Sequence, residues 1–220
     1  MNIQLITTVA EIKAMAQHHE SKTGYLELIA GPMYSGKTSK ILELYKQYTF
    51  CGIKCLVINY ADDTRYSITK LVNHDKLEIP CKQTLLLNAL VNLAGENMED
   101  SNEDIITEFE EAQVILINEG QFFEDIVGWV KTAVEKYHKV VHICGLDGDF
   151  KRNQFGNWLD LLPFCDKFEK IHSFCSHCKQ RSAIFSHRLS PETAQKVIGT
   201  EIYIPLCRAC YVFMNKEIIG

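Results

Sequence analysis

Gly31-Pro32-Met33-Tyr34-Ser35-Gly36-Lys37-Thr38 (GPMYSGKT) is the stretch on which the fold turns. It matches G-x-x-x-x-G-K-[ST], the Walker A pattern. The preceding run Tyr25 to Ala30 (YLELIA) predicts a short buried strand, and Ser39 to Phe50 carries apolar residues at helical spacing. Strand, loop and helix thus follow in the order that a phosphate-binding loop requires. Successive backbone N–H groups of such a loop point at phosphate oxygens, the helix N-terminus adds its positive end, and Lys37 adds its charge. Thr38 then offers a hydroxyl to Mg²⁺.

Working outward, Lys54 to Tyr60 (KCLVINY) predicts a second strand, followed by the polar stretch Ala61 to Ser67. Thr84 to Leu93 predicts a helix, and Gly95 to Asn102 (GENMEDSN) an exposed acidic loop. Helical spacing resumes at Ile105 to Phe109. Gln113 to Ile117 (QVILI) has the continuous apolar character of a strand buried on both faces. Phe123 to Tyr137 predicts a helix and Lys139 to Gly145 (KVVHICG) another buried strand. This alternation implies an α/β domain with a mainly parallel sheet.

At 220 residues the chain has room for one core domain and a small second unit. We expect an N-terminal extension over 1–24, the phosphate-binding domain over 25–167 and a smaller unit over 168–220. No apolar run approaches the roughly 18 residues of a membrane span, and Met1 to Glu20 lacks a secretory pattern, so the expected location is the cytoplasm. A formal charge of −5 gives nucleic acid no general attraction.

Of nine cysteines, Cys51, Cys55, Cys81, Cys144 and Cys165 lie singly in or beside apolar segments and read as reduced core residues. The others form two C-x-x-C pairs, Cys175/Cys178 and Cys207/Cys210. Each pair puts two thiolates on one tight turn, and the intervening loop lets the second pair close a tetrahedron around zinc. Neither pair reads as opening a helix after a strand in a βαβ unit, which disfavours a redox role. His177, lying between two cysteines already spaced for the metal, reads as a surface residue.

A phosphoryl-transfer site needs an acidic strand end beside its loop, and Asn118-Glu119 after the QVILI strand is the candidate. Asn118 offers an amide oxygen to a Mg²⁺-bound water but no charge, which shifts the burden of holding Mg²⁺ to Thr38 and the ATP phosphates. Glu119 can act as a base; an ordinary strand-end carboxylate is the other reading.

In order along the chain stand GPMYSGKTS, YADDTRYS, NHD, NEGQFF, GLDGDFKRNQFG, the two cysteine pairs and a final Cys-Tyr. Together they resemble the type II thymidine kinases over about Gly31 to Tyr211. The resemblance implies a RecA-like domain, a zinc domain whose lasso loop covers the nucleoside, and a homotetramer. It implies ATP and Mg²⁺ at Gly31 to Thr38, Asp63, Thr64, Arg65, Asn118, Glu119, Gly120 and Gln121. Lys37 and Arg65 would stabilise the transferring phosphoryl group, and Glu119 would take the proton of the thymidine 5′-hydroxyl. Phe122 and Phe150 would flank the nucleoside, with core packing as their other reading. Met33, Leu146 and Ser186 would lie near the thymine methyl group, and Gln195, Lys196, Val197, Ile198, Gly199 and Tyr203 would form the lasso. Feedback binding of dTTP is also implied.

Three positions depart from the family's usual pattern: Asn118 stands where Asp is common, Ser186 where Thr is common, and the lasso is shorter before Tyr203. The residues leave two other readings open, a RecA-like ATPase working on nucleic acid and a noncatalytic zinc module. The charge balance disfavours the first; Lys37, Thr38 and Glu119 together disfavour the second.

Overall fold

The computed structural model describes residues 23–61, 70–72, 75–94, 103–197, 199 and 201–215. Asp63, Thr64, Arg65 and Ile198 of the expected site, the acidic segment 95–102 and nearly all of the N-terminal extension lie outside the described residues. The strands of the first part of the chain are β1 (Tyr25–Ala30), β2 (Cys55–Tyr60), β3 (Lys70–Val72), β4 (Glu78–Pro80), β5 (Lys82–Thr84), β6 (Val114–Ile117), β7 (Val140–Gly145) and β8 (Lys167–Lys170). Its helices are α1 (Lys37–Phe50), α2 (Leu87–Leu90), α3 (Glu103–Glu111) and α4 (Ile126–Glu135).

Six strands form one parallel sheet in the order β5-β2-β6-β7-β1-β8, while β3 and β4 pair as a separate antiparallel hairpin. The apolar runs that predicted buried strands are covered on both faces. On one face Ile41, Leu42 and Tyr48 of α1 meet Ile29, Val57 and Leu116. On the other, Phe109 of α3 and Trp129, Val130 and Ala133 of α4 meet Leu28, Ile115 and Ile143. Within the α1 layer, His142 joins Glu27 and Tyr48, with 2.8 Å from Nδ1 to Glu27 Oε2 and 2.8 Å from Nε2 to the Tyr48 hydroxyl. Lys167 Nζ lies 3.0 Å from the other Glu27 oxygen.

The register brings the strand ends that matter to one edge. Ala30 pairs with Gly145 and Ile58 with Ile117, so the residues following β1, β2, β6 and β7 emerge together at their C-terminal ends. In parallel α/β sheets ligands bind at that edge.

Long-range contacts shift some expected boundaries. Thr84 ends β5, paired with Tyr60, and the helix predicted over Thr84 to Leu93 shrinks to α2. There the Asp125 carboxylate accepts from the Leu87 and Asn88 N–H groups, and Asn88 Oδ1 accepts from the Leu93 and Ala94 N–H groups, turning the chain away. The helix expected from Phe123 starts at Ile126, because Gly120–Phe122 forms a short 3-10 turn and Phe123 is extended. The sheet continues to Lys170 through β8, so the expected boundary between 167 and 168 falls inside a strand. Of the five single cysteines, Cys81 and Cys144 are buried and Cys55 and Cys165 partly so, but Cys51 is exposed at the end of α1, where the helix runs out into solvent.

Beyond β8, the chain forms β9 (Ser173–Phe174), β10 (Ser182–Ala183), β11 (Phe185–Arg188), β12 (Tyr203–Leu206) and α5 (Arg208–Met214). β9 pairs with β10 and β11 with β12, both antiparallel. Cys207 stands between a strand and a helix, as the N-cap of α5. The unit is still not βαβ, since β12 belongs to an antiparallel hairpin.

Candidate active site

The loop after β1 enters α1 through Gly36, whose φ of 88° lies in the left-handed region that favours glycine. No side chain caps the first turn of α1, and that turn holds no acidic residue. Its N–H groups therefore suit an anion. Gly31 is required by contact: a Cβ there would stand 2.5 Å from the Ile171 carbonyl oxygen and 2.7 Å from Ser35 Oγ. Lys37 is buried, with Nζ donating to the Pro32 carbonyl at 2.8 Å, so the ammonium lies along the loop it serves. The Ser35 hydroxyl is buried without a hydrogen-bond partner among the described residues, a polar atom that suits a phosphate oxygen.

Beside the loop, at the end of β6, Asn118 is 2% exposed. Its Oδ1 accepts from Thr38 Oγ1 at 3.5 Å and from the Cys144 thiol at 3.0 Å, while Nδ2 donates to Asn59 Oδ1 at 2.8 Å. This network turns the oxygen of Asn118 towards Thr38, the orientation a hydrated Mg²⁺ needs. Burial, with the Glu119 charge nearby, pushes the Cys144 thiol up to about 12 and keeps it a donor. Glu119 follows in a left-handed conformation, φ 59° and ψ 43°. Such backbone costs of order 1 kcal/mol in a non-glycine residue and clusters at functional sites. Gln121 fixes the carboxylate: Nε2 donates to Glu119 Oε2 at 2.6 Å, and Oε1 accepts from the Leu146 N–H at 2.9 Å.

A cleft of roughly 1280 Å³, open mouth included, runs from this loop to the segment before β12. Met33, Tyr34, Ser35, Gly36, Lys37, Thr38, Asn118 and Glu119 line one part of it. Phe122, Leu146, Phe150, Ser186, Gln195, Lys196, Val197, Gly199 and Tyr203 line the other. Gly31, Pro32, Gly120 and Gln121, also expected here, stand behind the lining: the first two carry the loop, and the last two position Glu119. Ser186 Oγ accepts from the Met33 N–H at 2.9 Å, joining the two parts directly. Lys196 reaches the Tyr60 hydroxyl at 3.1 Å and lies over the Tyr60 ring, 4.4 Å from its centroid. Gln195 Nε2 donates to Asp149 Oδ2 at 3.0 Å.

Sequence reasoning missed Asn59, Asp149 and Arg188. Asn59 orients Asn118, and Asp149 holds its own turn by accepting from the Lys151 and Asn153 N–H groups. In Phe185–Arg188 alternate residues are buried, which puts Ser186 and Arg188 on the same inward face.

The sulfurs of Cys175, Cys178, Cys207 and Cys210 all lie within 4.8 Å of one another, with Cys178 and Cys207 3.9 Å apart. A tetrahedron of about 2.3 Å Zn–S bonds has S···S edges near this value, whereas a disulfide bond is about 2.05 Å. Burial raises the Cys175 thiol, but backbone N–H groups of Cys207, Cys178 and His177 outweigh it and bring it down to about 6. Burial and the surrounding sulfurs push Cys210 up to about 12. Four thiolates this close need a cation between them, and the donor set fits zinc. His177 is exposed, as expected of a residue outside the ligand set.

Among the described residues no helix is long and apolar enough to cross a membrane. The family model described as Thymidine kinase matches residues 24–211. The chain is 37% identical to the thymidine kinase of Yaba monkey tumor virus over 197 residues, covering 89% of this chain and 99% of the viral protein. It is 37% identical to that of vaccinia virus strain Ankara over 190 residues, covering 86% and 97%. With the thymidine kinase of Oryza sativa subsp. japonica it shares 33% identity over 194 residues, 87% of this chain and 68% of the plant protein. A phosphate-binding loop facing a strand-end carboxylate, continuous with a four-cysteine module, is thus found in a chain that belongs to the thymidine kinase family.

Proposed function

We propose that the cleft transfers the γ-phosphate of ATP to the 5′-hydroxyl of thymidine, giving dTMP and ADP for nucleotide salvage. The observation that carries this reading is the single cleft lined at once by Lys37, Thr38 and Glu119 and by Phe122, Phe150 and Tyr203. ATP phosphates would take the N–H groups of the loop and α1, with Lys37 leaving the Pro32 carbonyl for a phosphate oxygen. Thr38 and Asn118, the latter through a metal-bound water, would hold Mg²⁺. When bound, that ion neutralises phosphate charge and fixes the phosphate geometry. Glu119, held by Gln121, would accept the 5′-hydroxyl proton as that oxygen attacks phosphorus in line. The rings of Phe122 and Phe150 would pack the pyrimidine, and the segment around Gln195 to Tyr203 would cover it.

Zinc at the four cysteines would stabilise the module that carries β11 and β12. Asp63, Thr64 and Arg65 join the donor side on the family resemblance. A homotetramer, feedback binding of dTTP and a cytoplasmic location rest on the same resemblance.

The test is ADP release that depends on thymidine. Wild type should require the nucleoside, and Glu119→Gln should lose about 100- to 10,000-fold in kcat. ADP release without thymidine would favour an ATPase. Full activity in Glu119→Gln would remove it as the base.

A further inference from the structure

We infer that Arg188 is the positioning residue that builds the nucleoside side of the cleft before substrate arrives, although its own side chain does not line that cleft. The inference rests on the proposed thymidine site and identifies what holds it together.

Arg188 ends β11 and is 5% exposed. Its Nη1 donates to the carbonyls of Glu192 and Ala194 at 2.8 and 2.5 Å. Nη2 donates to the Gln195 carbonyl at 2.9 Å and to the Tyr203 hydroxyl at 2.6 Å, and Nε donates to the same hydroxyl at 3.0 Å. The Tyr203 hydroxyl in turn donates a hydrogen bond to the Val197 carbonyl at 3.0 Å. The guanidinium also lies 3.8 Å from the centre of the Phe150 ring. Gln195, Val197, Tyr203 and Phe150 all line the cleft.

One buried cation therefore ties together three parts of the chain: the loop after β11, the start of β12 and the turn carrying Phe150. Among the described residues of 189–202 there is no helix or strand, and beyond the bond at its base from the Leu189 N–H to the Ile202 carbonyl, 2.8 Å long, they form no backbone ladder that would order the stretch. The fork of Arg188 takes that role. Only a guanidinium fits, because five N–H donors in a plane can reach carbonyls on one edge and a hydroxyl on another while the face packs on a ring. A lysine ammonium has three donors on one atom and no face. Without the fork, ordering the loop would fall on substrate binding and weaken it. The phosphate-binding loop touches none of these bonds.

The experiment compares wild type with Arg188→Lys and Arg188→Met, reading steady-state kinetics together with hydrogen exchange of the 189–203 backbone in the absence of nucleoside. Both variants should raise the thymidine KM about 10- to 100-fold and leave the ATP KM and saturating kcat within about threefold. Exchange at 189–203 should speed up while that of the sheet strands stays unchanged, and lysine should fail to rescue. Unchanged thymidine KM and exchange would overturn the inference, as would full rescue by lysine. Equal rises in both KM values, with faster exchange in the sheet, would mark Arg188 as a general stability residue and overturn it too. Lack of thymidine turnover in wild type would sink the substrate reading itself, and it shows before any variant is compared.

Discussion

The sheet and the cysteine module hold themselves together by different means. Leu28, Phe109 and Trp129 belong to one apolar layer of the sheet, and Ile29, Ile41 and Leu116 to the other; each such side chain contributes about 1.5–3 kcal/mol when fully buried. The cluster under the module is small: Cys175, Ala183, Leu206, Cys207, Cys210 and Tyr211, so half of its buried members are proposed metal ligands. The cleft inherits this split. Its loop side is built mainly from one continuous stretch, Met33 to Thr38, joined by Asn118 and Glu119 at the end of β6. Its nucleoside side is assembled from side chains distant in sequence: Phe122, Leu146 and Phe150 follow strands of the sheet, whereas Ser186, Gln195 and Tyr203 belong to the unit that carries the four cysteines.

Substitutions on the sheet side should therefore leave the module intact. Lys37→Ala removes the loop's charge and should lower kcat/KM for ATP about 100- to 1,000-fold. Thymidine binding, measured by calorimetry, should stay within about threefold; a parallel loss would mean that the two sides are not separable. Glu27→Gln should have a smaller effect, on stability alone. Burial by itself would raise the Glu27 carboxyl, yet hydrogen bonds and charge from His142 and Lys167 outweigh it and hold it down to about 2. A carboxyl lowered from 4.5 stabilises the fold above that pH, and the contribution of about 3 kcal/mol is lost as pH falls towards 2. Glu27→Gln should lower the unfolding free energy at neutral pH by an amount of that order and flatten its dependence between about pH 2 and 5, with zinc content unchanged. Acid titrations of stability that coincide for the two proteins would remove Glu27 from the account.

The same split governs what was legible in the chain. GPMYSGKT, QVILI and KVVHICG declare themselves because loop chemistry and two-sided burial are local properties of a few neighbouring residues. β8 escaped because Lys167–Lys170 is largely exposed and polar, and only its pairing with β1 makes it a strand. The limits of α2 within the predicted Thr84 to Leu93 helix escaped because Asp125, far along the chain, caps its start. At the site, the motif residues on the phosphate side and the four cysteines were readable. Arg188 was not, since its partners come from separate turns and its burial follows from their meeting.

The most direct test of the two-sided cleft is binding of thymidine and of a non-hydrolysable ATP analogue, each titrated separately, before and after zinc is stripped with a chelator. Stripping should weaken thymidine binding at least about 100-fold and leave the ATP analogue within about threefold, with both restored on adding zinc back. Thymidine affinity that survives the loss of zinc, or loss of both ligands together, would contradict the division.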